Sequence, residues 1–240
     1  MTDSRRKITQ ENLADAVIAI GLDQVTVKKV ADHLGVSAAG VYHHARGRAD
    51  LIRIGSQRLL QIDTLPSCED RSWPDWLREV AWHLRGRLRD HPEIVGQLIS
   101  GSVNMAEAIA DLEMALGFLK EAGLPILGAA DAFITIGQLA LGSAIEDIWG
   151  IQLLKQGRPM VSHLHAAVAN NPAETKHILQ YMKALKFNLG DRFDYRVDLA
   201  IKGIAAENGL KLPRRNRSLG PTVRRRPGRR ESSPVEAAAG

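Results

Sequence analysis

Apolar residues recur at three- and four-residue spacing along nearly the whole chain, and that period confines it to packed helices. Leu13, Ala16, Val17 and Ile20 set the pattern at i, i+3, i+4 and i+7, one face of an α-helix. Alternating β-branched runs closed by Asn-Gly or Asp-Gly turns, which would announce strands, are missing. The expected fold class is all-α. Punctuation residues divide it into about nine or ten helices. Thr9 is placed to cap the first helix and Gly21 to stop it. A second helix runs from its cap Thr26 to about Leu34, followed by Gly35. Ser37 caps a third that ends near His43, and a fourth starts near Arg48 with Leu51, Ile54, Leu59 and Ile62 inward.

Pro66 to Arg71 is a polar connector and marks a domain boundary. Ser72-Trp73-Pro74-Asp75 then reads as a capping box with proline in the first turn. Its helix buries Trp76, Leu77, Val80, Ala81, Leu84 and Leu88. Pro92 opens a short helix to about Ser100, and Met105 to Leu119 forms another, stopped by Gly123-Leu124-Pro125. Ala129 to about Leu154 is apolar almost all round, as a buried or interface helix is. Helices from about Ala173 to Leu189 and Arg192 to Ala206 complete the body. The expected domains are residues 1–63, 64–210 and an Arg-rich tail, 211–240, too poor in apolar residues to fold alone.

Composition narrows the function classes. The hydrophobic and charged fractions, 45% and 25%, are those of a soluble globular chain. The single Cys68 excludes a disulfide framework and a Cys-based metal site within one chain. No uninterrupted apolar run approaches the roughly 18 residues of a membrane helix, and Met1 to Lys7 leads into no signal sequence. A reduced, cytoplasmic protein without a membrane role is expected. The net charge of +5 is unevenly spread: 9 basic against 7 acidic residues in 1–63, 14 against 18 in 64–210, and 9 against 2 in 211–240. The surplus therefore belongs to the tail. No nucleophile elbow, phosphate-cradling glycine loop or His-Glu-x-x-His is found, so no enzyme is expected. Adjacent His43 and His44 diverge by about 100° on a helix, and His163-x-His165 has no carboxylate close in sequence; no metal or cofactor is assigned.

Residues 26–44 carry the chemistry. Two short helices around Gly35, which accepts the positive φ of a sharp turn, make a helix-turn-helix pattern. Val30, Ala31, Leu34, Val36 and Val41 face inward. Ser37, Ala38, Ala39, Tyr42 and His43 are left outside, and small residues at a helix start let backbone approach DNA. Shape alone fits an ordinary helical hairpin equally well. The detail Thr26-Val-x-x-Val-Ala, Leu34-Gly35-Val36-Ser37, Val41-Tyr42-x-His44 and Arg48-x-Asp50-Leu51 resembles the DNA-binding domain of the tetracycline-repressor (TetR) family over Ile8 to Ile62. Ala45 departs from the larger residue usual in that family. The body is similar to the family's regulatory domain in helical layout.

The resemblance implies an N-terminal three-helix helix-turn-helix domain, a larger helical ligand-binding and dimerisation domain, and a homodimeric, ligand-responsive regulator, usually a repressor, on a palindromic double-stranded DNA operator. Thr26, Lys28, Tyr42, His44 and Arg48 would contact phosphates, Lys28 alternatively a base edge. Ser37, Ala38, Ala39, Gly40 and His43 would face the major groove. A small apolar or amphipathic effector would meet Trp76, His83, Arg87, Met105, Met114, Phe118, Phe133 and Gln138, each of which also reads as plain core. The 129–154 and 173–189 helices would build a four-helix dimer interface. The competing reading is a nonspecific or architectural DNA-binding protein that works through its Arg-rich tail.

Overall fold

The structure, a computed structural model, describes residues 8–102, 106, 109–158, 166, 168–171, 174–184 and 189–213. Its helices are α1 (Gln10–Ile20), α2 (Val27–Leu34), α3 (Ala38–Tyr42), α4 (Arg48–Ile62), α5 (Trp73–Asp90), α6 (Pro92–Ile99), α7 (Ile109–Glu121), α8 (Ile126–Lys155), α9 (Lys176–Ala184) and α10 (Leu189–Glu207). No strand occurs among the described residues. His163, His165 and the Arg-rich tail lie outside them.

Helix starts follow the sequence because caps are local. Thr9 Oγ1 accepts from the Asn12 N–H at 3.1 Å while Asn12 Oδ1 accepts from the Thr9 N–H at 2.9 Å, a closed capping box. Ser72 Oγ likewise accepts from the Asp75 N–H, with proline in the first turn. Gly35 adopts φ 68°, ψ 37°, the left-handed conformation the turn requires.

Two cores result. The body core joins Trp76, Leu77 and Val80 of α5, Leu119 of α7, Ile136 of α8 and Phe193, Val197 and Ile201 of α10. The second centres on Leu13 and Val17 of α1, Val30 and Ala31 of α2, Val41 of α3 and Leu51 of α4. It does not stop at residue 63: Leu88, Ile94, Val95 and Ala144 belong to the same cluster, so the small module rests on α5, α6 and α8. Close approach of α1 and α4 depends on Gly55, where a methyl group would sit 2.5 Å from Val17 Cγ1 and 2.6 Å from Leu22 Cδ2.

α8 is the long axis of the body. Its 30 residues are long and apolar enough, by length and composition, to cross a bilayer. Here one face, Ala129, Ala132, Ile136 and Ala140, is buried in the body core. The opposite face leaves Ile134, Ile145 and Trp149 exposed. The last helices also differ from expectation. The stretch expected as one helix over 173–189 contains α9, and the final helix starts at Leu189 rather than Arg192. It is α10 that packs along α8, tied by Arg196 to Glu146 at 3.1 Å.

Candidate DNA-binding surface and effector site

The module presents its small residues outward because its large ones are consumed by packing. Val41 is fully buried, which turns Ala38, Ala39, Tyr42 and His43 of the α3 segment outward. Ser37 Oγ accepts from the Gly40 N–H at 3.2 Å and fixes the start of α3. Gly40 itself is only partly exposed and lies close to Ile8. Thr26 Oγ1 accepts from the Lys29 N–H at 3.2 Å, leaving its own hydroxyl proton free in direction. Lys28 and His44 are exposed, and Tyr42 is 55% exposed. Ala45 is buried in the module core.

Arg48 is placed differently from expectation. Its Nε donates to the Val25 carbonyl at 3.2 Å and its Nη2 to the carbonyls of Leu22 and Asp23 at 3.3 and 2.8 Å. It pins the start of α4 to the α1–α2 loop while the residue stays exposed on the surface. Sequence spacing could not show this, since the partners are loop carbonyls more than twenty residues away. The neighbouring Arg46, absent from the sequence-based set, is exposed beside the same surface, its backbone N–H held by Asp50 at 2.9 Å.

The effector candidates separate into three groups. Trp76, Phe118, Phe133 and Met114 meet in the body core. Trp76 stands edge-on to Phe118 at 5.2 Å and stacks with Phe133 at 6.4 Å between ring centres, with its Nε1 donating to the Pro66 carbonyl at 2.9 Å. Gln138 is exposed on α8, nearly opposite the inward Ile136, and is removed from the interior by helix phase. Met105 lies outside the described residues.

His83 and Arg87 form the third group, at the end of α4. Arg87 Nη1 donates to the Asp63 carbonyl at 2.6 Å, and its Nε is 3.9 Å from Asp63 Oδ2. His83 Nε2 is 3.6 Å from Asp63 Oδ1. Burial holds the pKa of both His83 and Arg87 below its usual value, with Asp63 and Asp111 pulling the other way.

The same helix carries a buried charge that sequence reading passed over. Arg85 makes two 2.9 Å bonds to the Asp147 carboxylate on α8. Its guanidinium also lies 5.1 Å from the Trp82 ring centre and 4.6 Å from that of Phe193. Trp82 Nε1 in turn donates to Asp194 at 2.6 Å, so α5, α8 and α10 meet in one polar knot. An open cleft of about 180 Å³ lies elsewhere, between Ser72, Arg78, Asp198, Lys202 and Pro213. Three of its charged walls pair with one another, Arg78 to Asp75 and Asp198 at 2.7 and 2.6 Å. It is smaller than the roughly 300 Å³ of an ordinary ligand pocket.

Known proteins can now be compared. Residues 14–53 match the bacterial regulatory proteins of the tetR family, and residues 65–208 match the tetracyclin repressor-like C-terminal domain. An HTH-type transcriptional regulator of Saccharopolyspora erythraea is 24% identical over 210 residues, 85% of this chain and 87% of that protein. An HTH-type transcriptional repressor of Mycobacterium tuberculosis is 23% identical over 227 residues, 91% and 85% of the two chains. Apo ActR of Streptomyces coelicolor superposes with a TM-score of 0.65 at 19% identity, covering 86% of this chain and 99% of that one. The same protein in complex with actinorhodin gives 0.63 at 21% identity, covering 84% and 99%. With both its DNA-binding module and its regulatory body matched, the chain belongs to the TetR family of transcriptional regulators.

Proposed function

We propose that the chain is a homodimeric repressor that leaves a palindromic operator when a small amphipathic effector enters its body. The observation that carries this is the exposed, small-residue face of α3 on a module whose core is continuous with the regulatory body. Ala38 and Ala39 allow α3 into the major groove, where their methyls suit thymine methyls. Lys28, Thr26, Tyr42 and His44 flank that face as phosphate contacts, and Arg46 joins them in place of Arg48. Base contacts are few, so phosphates and DNA shape supply much of the affinity.

In this reading α8 and α10 form the dimer interface. Their exposed apolar side chains, Ile134, Ile145 and Trp149 on α8 with Tyr195 and Leu199 on α10, support this. A two-fold dimer sets its recognition helices about 34–36 Å apart, one turn of DNA. That ActR is seen in complex with actinorhodin supports a ligand-responsive reading of this chain.

Selection of bound sequences from random DNA with the purified dimer tests the reading and should return a palindrome. Tyr42→Ala should then weaken operator binding by about tenfold without altering thermal stability, the scale of one lost contact of about 1.4 kcal/mol. Wild-type gel-shift affinity for this variant would count against the assigned surface. Absence of any sequence enrichment would favour the architectural alternative.

A further inference from the structure

The end of α4 is held to α5 by an arrangement that leaves two buried nitrogens short of a partner. Neither His83 Nε2 nor Arg87 Nε has a hydrogen-bond acceptor. The Arg87 side chain is 10% exposed and that of His83 23%, so water does not screen them freely. The two Asp63 carboxylate oxygens stand at 3.6 and 3.9 Å from these nitrogens, beyond a hydrogen bond, while the Asp63 carbonyl takes Arg87 Nη1 and also acts on His83. Asp63 is 41% exposed, so its side chain has solvent to turn into. A buried guanidinium and imidazole converging on a half-exposed carboxylate that bonds to neither nitrogen make a site that favours a better-seated carboxylate.

We propose that His83 and Arg87 form the acid-binding end of the effector site, taking the carboxylate of an amphipathic organic acid in place of the Asp63 side chain. This rests on the effector-responsive reading above and specifies the ligand's chemistry. Trp76, Val80, His83 and Arg87 follow one another at i, i+4, i+7 and i+11, a single stripe of α5 about 16 Å long. Its far end is the fully buried Trp76, and its near end is the His83–Arg87 pair. An acid with an apolar tail matches that polarity. A monoanion is preferred to a phosphate, because Asp63 and Asp111 both act on the pair and repel a second negative charge. Exchange of one carboxylate for another preserves the charge of the site while freeing the last turn of α4 from the side-chain half of its tether. The ligand thereby distinguishes two positions of the DNA-binding module, as a switch requires.

The test uses full-length wild-type dimer and the variants Arg87→Gln, His83→Gln and Asp63→Asn. Each is titrated with matched pairs of probes, decanoate and decanamide, 1-naphthylacetate and its amide, and with 1-naphthyl phosphate. Trp76 and Trp82 report binding by fluorescence, and operator release is read by gel shift. The expected result is a preference for acid over amide on the order of tenfold, the scale of one charge-assisted contact. Arg87→Gln should erase this preference and His83→Gln reduce it, whereas Asp63→Asn should tighten acid binding by removing the competitor. Acid and amide binding alike to wild type, a preference retained in Arg87→Gln, weaker acid binding in Asp63→Asn, or stronger binding of the phosphate would each overturn the proposal. Operator release by an amide but by no acid would overturn it and leave the effector-responsive reading standing. Failure of the wild type to select any DNA would remove that reading, independently of the fluorescence titration.

Discussion

Arg85 and Arg87 lie two residues apart on α5, both buried, with opposite surroundings. Arg85 is saturated: two bonds to Asp147, two aromatic rings against its guanidinium, and a side chain 7% exposed. Arg87 is 10% exposed yet makes one short bond, to a carbonyl, with its Nε unpartnered. Equal burial therefore does not mean equal rigidity. The first charge fastens α5 to α8 and α10 and has no reason to move. The second holds the end of α4 through contacts that another acceptor can improve. One face of α5 is a fixed joint and the neighbouring face is a latch.

The contrast is most easily broken at the fixed joint. Arg85→Ala leaves the Asp147 carboxylate buried without its partner and should cost about 3–5 kcal/mol in urea unfolding. The double variant Arg85→Met with Asp147→Leu should recover most of that, because well-packed apolar residues replace buried ion pairs at little cost. Arg87→Gln should be milder, about 1–3 kcal/mol for the lost bond to Asp63, while abolishing acid-dependent operator release. A stability loss as large as that of Arg85→Ala would erase the distinction between joint and latch. Between these lies Gly55→Ala, which forces α1 and α4 apart and should cost about 1–3 kcal/mol, with loss of operator affinity. Thr26→Ala, remote from both arginines, removes only a cap and should cost about 1 kcal/mol.

The smallest effect expected is one of pH. Folding makes His83 harder to protonate than its ordinary value of 6.5, chiefly by burial, against the pull of Asp63 and Asp111 and with the push of Arg87. The unfolded chain therefore binds more protons at this position as pH falls through that value. Stability present above it is lost progressively below it. Chemical denaturation of wild type and His83→Gln between pH 7.5 and about 5 isolates the contribution, and the variant should show the shallower slope.

Much of the molecule was legible in the sequence, and the legible parts share a physical trait. Thr9, Thr26, Ser37 and Ser72 act on backbone three residues ahead, so a local reading finds them. Val30, Val41 and Leu51 follow from helical period alone. The failures are all matters of distant partners or helix phase. Arg48 has the carbonyls of Leu22, Asp23 and Val25 around it, partners that spacing alone does not reveal. Arg85 resembles any polar position of an amphipathic helix, because Asp147 is 62 residues away. Gln138 fails by phase, one polar residue on the side of α8 that faces outward.

The shared core beneath the DNA-binding module bears on its transplantation. Leu88, Ile94, Val95 and Ala144 complete the packing begun by Leu13, Val17 and Leu51. A graft cut at residue 63 would carry the recognition helix to a new host but leave its floor behind. The smallest portable reader is thus a patchwork of residues 8–62, α6, the end of α5 and one turn of α8. Operator specificity in such a chimera is inherited together with a piece of the body that controls it.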